Sequence, residues 1–479
     1  MPEEVILAST APAPRLEQDA IGVAQDTIIG MASAAPAVSV GLTLAPLVAA
    51  TAYGSGAVML LTAVPMLIIA NAYRRLNMWS VNCGASFEWV GRSISPYLGF
   101  MTGWLMIAAY ITGAVSGVEV VGPSVTAVFS TGAGSAWTDI WIATGISVVM
   151  LVIAIVGIKI SAQTQVGMAV VEYAILILFA IWGLTEVLRH APGTFHITSG
   201  WFSLSGIGGH GSLAAGLLIS IYIYSGWEGT LYVNEEVKHR RVSPGRAAIL
   251  AVALLTVLYE LVLVGLQGVV SPQGLQAHST DSIVYVASAL GGPGWARVMA
   301  LALALSVIAA TGTSIVLTAR IVYGMASRQT LPKFLGNISP SFRTPVAASV
   351  VTGVLLIVIT WVYLLATSVQ GAFDAIVAVS GLLFAAFYVL TALATIFYYR
   401  RRVIARAWDF VVLGALPLSA AGFLGWVIWK SLHSAPEAQN WSLVGVLVVG
   451  AGLMLIARFG LRSSFFAIRR ESATVSDIS

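Results

Sequence analysis

The sequence predicts an all-α integral membrane protein with twelve transmembrane helices. Of its 479 residues, 58% are hydrophobic and only 9% are charged, whereas a soluble domain carries about a quarter charged residues. The apolar residues fall in long runs, and a run of about 20 is typical of a helix that crosses a bilayer. The lipid bilayer is therefore the expected surrounding, and the number and direction of the helices follow from the runs themselves and from the basic residues between them.

Twelve apolar segments are candidate spans, numbered 1 to 12 in chain order. They cover residues 21–47, 55–74, 95–125, 136–157, 164–188, 210–234, 246–270, 295–322, 346–365, 371–398, 408–430 and 441–460. Some of these runs exceed 25 residues, so we expect a tilted or broken helix there.

The basic residues between these spans lie almost entirely on one side of the membrane. With the N-terminus placed in the cytoplasm, 21 of the 24 Lys and Arg residues lie inside, and only Arg189, Arg297 and Lys430 lie outside. Cytoplasmic loops are normally rich in basic residues. One missed or additional span would destroy the separation, so we expect cytoplasmic tails at residues 1–20 and 461–479. The first tail lacks the basic start and short apolar core of a secretory signal.

Spans 1 and 6 carry small or helix-breaking residues at mid-depth. The stretch IIGMASAAPAVSVGLT, residues 28–43, contains Gly30, Pro36 and Gly41, and span 6 contains Ser225, Gly226 and Gly229. An unwound turn leaves backbone N–H and C=O groups that are costly in lipid, so they must face protein, water or ligand. Half-helix amino ends suit a carboxylate, and unwound carbonyls suit an ammonium group or a metal cation. An amino acid satisfies both, although a kink that only serves packing is the alternative.

The two interrupted spans are five apart, so each can open one five-helix unit. Because five is odd, the second unit enters the membrane from the opposite side and the repeat is inverted. We therefore expect a first repeat at 21–188, a second at 210–398 and two peripheral helices at 408–460. Paired interruptions in corresponding positions of two halves indicate a transporter binding site.

Three sets of residues resemble the amino acid–polyamine–organocation permeases. These are GMASAAPAVS in span 1, the segment NCGASFEWVGRSISPYLGFMTGW at 82–104, and the pair SGWEGTLYVNEEVKHRRVSPGRA and TARIVYGMASRQTLPKFLGNISPSFRTPVAA, which begin at Ser225 and Thr318. The resemblance runs from about residue 20 to 460. It implies two inverted five-helix repeats with unwound spans 1 and 6, two peripheral helices, and alternating access for amino acids or amines.

The same resemblance implies substrate-binding positions in spans 1, 6 and 8. They are Ser33, Ala34, Ala35, Tyr222, Ser225, Gly226, Trp227, Glu228, Thr313 and Ser314. Tyr222 matches an aromatic gate position, where a ring can close over the substrate and stack on a cation.

One position departs from the family pattern. Many proton-coupled members carry a lysine about a third of the way into span 5, and alignment on Gln165 places Glu172 there. A lysine mimics a bound cation, whereas a glutamate binds a cation or carries a proton. The coupling mechanism of the family therefore cannot be transferred unchanged.

Carboxyl groups inside the spans are functional candidates by default, because they are expensive in a membrane. Five of them lie without a Lys or Arg at comparable depth: Glu119, Glu172, Glu228, Glu260 and Asp374. Glu228 beside the unwound turn and Glu172 are the candidates for ion coupling. Glu119 and Asp374 lie near the outer ends of their spans, where hydration is the favoured explanation. For Glu260, packing in the protonated form is the alternative to a function. The acids could also hold a cationic substrate.

Other signals predict little. GIGGHG at 206–211 matches a dinucleotide motif but lacks the strand and helix that such a site needs. The histidines lie in loops, Cys83 is the only cysteine, and no phosphate-binding loop motif occurs, so we expect no cofactor, no metal site and no nucleic-acid partner. The Gly99-x-x-x-Gly103 and Gly113-x-x-x-Gly117 repeats are typical of contacts between helices.

We therefore predict a secondary active transporter, not an enzyme. It imports an amino acid or related small amine across the plasma membrane and is driven by a proton or sodium gradient. A permease or exchanger specific for polyamines or organic amines is the alternative. A channel would need a continuous lined pore, and a membrane enzyme would need clustered catalytic groups; the sequence shows neither.

Overall fold

The structure is a computed structural model that describes residues 14–129, 135–207, 212–279, 281–366, 369–434 and 436–473. The described residues are almost entirely helical and contain no strand beyond one isolated bridge between Ile21 and Val237. The helices are α1 Val23–Ser33, α2 Pro36–Thr51, α3 Ser55–Trp79, α4 Ser86–Ser93, α5 Pro96–Phe129, α6 Ala136–Val156, α7 Ile158–Leu188, α8 Leu213–Tyr224, α9 Ser243–Leu266, α10 Pro272–Ala277, α11 Ser282–Gly291, α12 Pro293–Ser327, α13 Val346–Ala366, α14 Val369–Ala405, α15 Ala407–Asp409, α16 Leu416–Ser434 and α17 Glu437–Leu455. The all-α prediction is confirmed.

Ten stretches of helix in the described part of the chain are long and apolar enough to cross a membrane. The first, Val23–Trp79, covers two predicted spans at once. The predicted span at 210–234 is instead the short helix α8 followed by a tight 3₁₀ segment, Trp227–Leu231. A multi-pass membrane protein follows from these helices, while the count of twelve, the inverted repeat and the domain boundaries stay predictions.

Burial separates an inner group of helices from an outer group. Helices α5 and α12 lie against each other, and α14 and α7 pack beside them. Outward-facing apolar side chains are concentrated on α6, α13 and α17, for example Val152, Val358 and Val448, each at least half exposed. Apolar side chains exposed on the outside of a helical bundle are suited to contact with lipid tails. The polar residues predicted to bind substrate lie within the inner group.

Both predicted interruptions are present. Helix α1 ends at Ser33, Ala35 adopts a left-handed conformation with φ 47°, and α2 begins at Pro36. Proline is suited to the first position of a helix because its missing N–H has no partner there in any case. Helix α8 ends at Tyr224, Ser225 is extended, and Gly226 has φ 110°. The small residues and the proline therefore produce two breaks in the middle of otherwise apolar helices.

Candidate functional site

The two breaks lie in direct contact. A Cβ atom placed on Gly226 would lie 2.7 Å from the carbonyl carbon and oxygen of Ser33 and 2.8 Å from the nitrogen of Ala34. A Cβ atom on Gly30 would lie 2.9 Å from the carbonyl oxygen of Trp227. Close backbone approach and a positive φ are the two conditions that favour glycine. Gly226 meets both, so its identity brings the two unwound turns together.

A small cavity of about 40 Å³ lies at these breaks. Five elements contribute to its wall: the broken first helix, α5, α8 with the turn that follows, α12 and α14. The lining residues are Ser33, Ala35, Val38, Ser39, Tyr110, Gly113, Ala114, Gly117, Tyr222, Ser225, Val307, Ala310, Ser314 and Phe384. None of these described lining residues is charged. The wall is polar near the unwound turns and apolar toward α5 and α12.

Hydroxyl groups around the cavity hold its wall in place. Ser39 Oγ donates to the carbonyl oxygen of Ala34 at 2.6 Å, across the break in the first helix. Ser225 Oγ donates to the carbonyl oxygen of Tyr222 at 2.6 Å. The Tyr222 and Ser116 hydroxyls lie 2.7 Å apart, which joins α8 to α5. The predicted gate tyrosine is therefore fixed against α5 in this conformation.

Glu228 lies fully buried behind the cavity wall, where it connects two helices and an unwound turn. Its Oε1 accepts from the Tyr110 hydroxyl at 2.8 Å. Its Oε2 accepts from the Tyr388 hydroxyl at 2.5 Å and from the backbone N–H of Gly226 at 3.1 Å. A buried carboxyl group with three donors is strongly fixed. Glu228 therefore ties the unwound turn of the sixth predicted span to α5 and α14.

The predicted binding residues divide into two groups. Ser33, Ala35, Tyr222, Ser225 and Ser314 line the cavity. The others lie behind its wall: Ala34, Gly226, Trp227, Glu228 and Thr313.

The contacts of two residues in the second group explain why their side chains do not line the cavity. Thr313 Oγ1 donates back to the carbonyl oxygens of Ala309 and Ala310 in its own helix. The Trp227 ring is fully buried and stacks on Tyr388 with 5.6 Å between ring centroids.

Glu172 reaches the amino end of α2 from α7. It is buried, and its Oε1 accepts from the backbone N–H of Ala37 at 2.9 Å. The next amide, Val38 N–H, donates to Ser306 Oγ of α12 at 3.4 Å. The first turn of a helix has amide groups without helical partners and partial positive charge. Side chains from α7 and α12 satisfy the first available amides of α2, and Glu172 contacts the break without lining the cavity.

The remaining intramembrane acids lie elsewhere. Glu260 has two buried carboxyl oxygens without a hydrogen-bond partner among the described residues and packs against Gly56 of α3. The side chains of Glu119 and Asp374 lie outside the described residues. Asp26 is a buried acid that sequence reasoning missed: it lies in the first turn of α1, with both carboxyl oxygens unpartnered in the described part of the chain.

An ion pair that the sequence did not predict lies near the end of α12. Arg320 and Glu236 are both fully buried and form two hydrogen bonds, at 2.5 and 2.9 Å. The carbonyl oxygen of Glu236 also accepts from the N–H groups of Ala20 and Ile21, just before α1. Such a bidentate pair fixes geometry as well as charge. The pair joins α12 to the segments that flank both broken helices.

The two glycine repeats differ in their surroundings. A Cβ atom on Gly99 would lie 2.5 Å from the Cα of Gly91, so this repeat is a helix contact as predicted. Gly113 and Gly117 instead line the cavity, and a Cβ atom on either would meet only ordinary contacts at 3.8 to 4.0 Å. This second repeat lies between helices of the bundle, where it borders the cavity as well as Phe384 of α14 and Val307 of α12.

Apolar helices of spanning length, with two broken segments meeting at a buried cavity, define a helical membrane transporter. The family follows from comparison: the amino acid permease family model matches residues 25–452. The chain therefore belongs to the amino acid permease family, which consists of membrane transporters.

Curated relatives agree with this family. The chain is 26% identical over 206 residues to an uncharacterized amino acid permease, YvbW, of Bacillus subtilis (42% of this chain, 46% of that one). It is 25% identical over 258 residues to the aromatic amino acid transport protein AroP of Corynebacterium glutamicum (51% of this chain, 53% of that one). These matches span about half the length of each relative.

A solved structure supports the fold. The manganese transporter of Eremococcus coleocola superposes with a TM-score of 0.61 over 92% of this chain and 93% of that chain, at 14% identity. At that identity the likeness concerns the fold alone.

Proposed function

We propose that the protein is a secondary active transporter that imports a neutral amino acid across the plasma membrane by alternating access, with both termini in the cytoplasm. The contact between the two unwound turns at a buried cavity carries this proposal. Membership of the amino acid permease family supports the substrate class. Paired broken helices at mid-membrane are the typical site of substrate and ion binding in transporters with inverted repeats.

Helix ends supply charge complementarity for a zwitterion. The carboxyl ends of α1 and α8 carry partial negative charge and suit the substrate ammonium group, next to Ser225. The amino end of α2 carries partial positive charge, but the Ala37 and Val38 amides already bind Glu172 and Ser306. We therefore assign the substrate carboxylate to the cavity hydroxyls near that end.

The apolar part of the cavity indicates a neutral side chain. Gly113, Ala114 and Gly117 of α5 face Val307 and Ala310 of α12 across the cavity. A polyamine would bring two or more positive charges to a wall without a charged side chain, and buried charges need partners. The amine-specific alternative is therefore less supported than a neutral amino acid.

Binding can be tested apart from transport. A ligand that binds the folded state raises the unfolding temperature by mass action. We expect neutral amino acids to stabilise the purified protein, and putrescine and ethanolamine to leave it unchanged. Stabilisation by the amines alone would contradict the neutral amino acid assignment.

Gly113→Ala is expected to narrow substrate size. The added methyl group meets Phe384 at an ordinary 3.9 Å, so the protein folds normally but the cavity loses volume. Discrimination by one methylene is worth roughly tenfold or more. We expect the ratio of kcat/KM for leucine over that for alanine to fall by about tenfold. Gly145→Ala, at a glycine of α6 with open space around it, is the matched control, and an unchanged ratio in Gly113→Ala would contradict the assignment of the side-chain pocket.

Glu172 is proposed as the coupling residue. As a carboxylate it complements the positive amino end of α2, and proton uptake weakens that attraction. Release of α2 from α7 would then follow protonation, which links the proton gradient to movement of the broken helix. Glu228, which holds the other break, is proposed to respond to the same movement.

Glu172→Gln is expected to abolish accumulation driven by a proton gradient while downhill exchange continues. The amide oxygen still accepts from Ala37 N–H, but the side chain no longer changes charge. The steady-state accumulation ratio in proteoliposomes measures this effect. Glu260→Gln, at an acid that does not line the cavity, should accumulate substrate as the wild type does. Wild-type accumulation by Glu172→Gln would place coupling elsewhere.

A further inference from the structure

The segment 463–473 after the last predicted span lies against four helices at one end of the molecule. Its polar groups fasten both of its ends. Ser463 Oγ donates to the carbonyl oxygen of Arg328, just past α12, at 2.9 Å. At the other end, Ala473 N–H donates to the carbonyl oxygen of Tyr398 in α14 at 2.9 Å. The segment therefore spans from the end of α12 to α14.

An arginine in α4 holds the same segment near its far end. The Glu471 carboxylate accepts from Arg92 Nε at 2.9 Å and from Arg92 Nη2 at 2.7 Å. Glu471 N–H also donates to the carbonyl oxygen of Arg92 at 2.7 Å. Paired N–H···O bonds between a guanidinium and a carboxylate are among the stronger polar contacts in proteins. Three hydrogen bonds thus join Glu471 to one residue.

Two aromatic rings anchor the middle of the segment. Phe465 is almost fully buried and stacks on Phe87 of α4 with 4.4 Å between ring centroids. A Cβ atom on Gly91 would lie 2.5 Å from the Phe465 ring, so the glycine makes room for it. Phe466 packs on Tyr97 of α5 at 5.2 Å. Buried aromatic rings contribute a large share of packing energy. We therefore expect these two rings to stabilise the attachment of the segment to α4 and α5.

The helices that the segment joins are also joined through charge. The Arg92 guanidinium lies 4.7 Å from the centroid of Trp79 at the end of α3. Arg92 Nη1 donates to Glu88 at 3.3 Å, and Glu88 in turn accepts from Arg328. The charges therefore form a continuous chain from Glu471 to Arg328.

We propose that residues 463–473 form a strap that holds this end of the transporter closed. The strap connects α4, α5 and the end of α12 to α14, and α14 carries Tyr388, which binds Glu228 behind the cavity. Separation of α14 from α4 at this end requires the strap to detach. Any change that weakens the strap therefore favours opening on the side predicted to face the cytoplasm, and residues 463–473 regulate access to the site. The consequence for transport rests on the proposed alternating access, whereas the test below does not measure transport.

The single cysteine is a built-in reporter of this opening. Cys83 lies between α3 and α4 and is fully buried against Leu16, Ile338 and Tyr323. Its N–H donates to Glu235 at 3.0 Å. Opening at this end moves these segments apart and exposes the thiol to a maleimide. The alkylation rate then follows the population of the open form.

The experiment measures alkylation of Cys83 by N-ethylmaleimide in the full-length protein in lipid nanodiscs. We expect roughly tenfold faster alkylation in Phe465→Ala and a smaller increase in Glu471→Gln, since each removes one strap contact. Phe465→Leu, which keeps an apolar side chain against Phe87, should be alkylated about as slowly as the wild type. Arg470→Gln changes an exposed neighbour by one charge and should match the wild type.

Folding is checked separately by monodisperse elution in size-exclusion chromatography. Glu471→Gln alters a partly exposed side chain and is the variant best able to fold normally. Wild-type alkylation rates in correctly eluting Phe465→Ala and Glu471→Gln would overturn the strap. A negative uptake assay would overturn the proposed function and leave this result unaffected.

Discussion

Glu228→Gln is expected to abolish transport in a protein that still folds and inserts. The wild-type carboxyl group accepts three hydrogen bonds, from Tyr110, Tyr388 and the N–H of Gly226. A glutamine offers one oxygen, and its NH₂ group would face a second donor in a fully buried place. A mispaired buried polar group costs about 1–3 kcal/mol. Because these contacts join the unwound turn to α5 and α14, we expect initial uptake to fall at least tenfold.

The control for this variant is Glu260→Gln, the same chemical change at an acid whose carboxyl oxygens have no hydrogen-bond partner among the described residues and which does not line the cavity. It should keep uptake near the wild-type rate. Tyr388→Phe, which removes one donor from Glu228, should give an intermediate rate. Wild-type uptake by Glu228→Gln would remove this carboxyl group from the mechanism.

Gly226→Ala is expected to lower both stability and transport. The residue has φ 110°, and a methyl group would lie 2.7 Å from the carbonyl of Ser33. Strain at a left-handed position costs about 1–2 kcal/mol before the clash is counted. The clash is with backbone, so relief requires α1 and the turn after α8 to separate. We expect a lower unfolding temperature and at least tenfold slower uptake in the fraction that folds.

Gly167→Ala is the matched control, because this glycine of α7 has no atom near the added methyl group. It should be neutral or slightly stabilising, since alanine favours a helix over glycine. Gly226→Ala with normal stability and uptake would mean that the two breaks do not need to touch.

The sequence predicted the breaks for a physical reason. Backbone groups cannot be left unpaired in lipid, so a proline and several small residues at mid-span have few explanations. Pro36 and Gly226 accordingly mark the start of α2 and the turn after α8. The same reasoning placed Glu228 beside a break, but not its partners.

The hydrogen-bond partners of Glu228 could not be predicted from the sequence, because an aromatic residue on an apolar helix looks like an ordinary core residue. Tyr110 and Tyr388 are two of many aromatic residues in the chain. Only the hydrogen bonds that their hydroxyl groups donate to Glu228 distinguish them from the others. Asp26 is an acid within predicted span 1 and could have been included among the candidates from the sequence, but its full burial is visible only in the fold. Arg320 also lies near a span end, and its burial follows from Glu236, which comes from a different segment.

The number of helices was the property of the fold that was hardest to predict from the sequence. A break shortens the helix in which it occurs, so the predicted span at 210–234 does not appear as one long helix. Span 1 shows the opposite effect, because α1, α2 and α3 follow one another with little interruption. Hydropathy therefore indicates where chain crosses lipid, whereas helix bounds depend on where the backbone unwinds.

We propose that the unwound turns hold a neutral amino acid, which the protein moves against its concentration gradient. Uptake into proteoliposomes tests it directly, with an imposed inward proton gradient, no sodium, and radiolabelled neutral amino acids beside putrescine and ethanolamine. We expect accumulation of a neutral amino acid above its external concentration, and we expect this accumulation to collapse when a protonophore is added. Accumulation of the amines alone, or of no amino acid under the gradient, would contradict it.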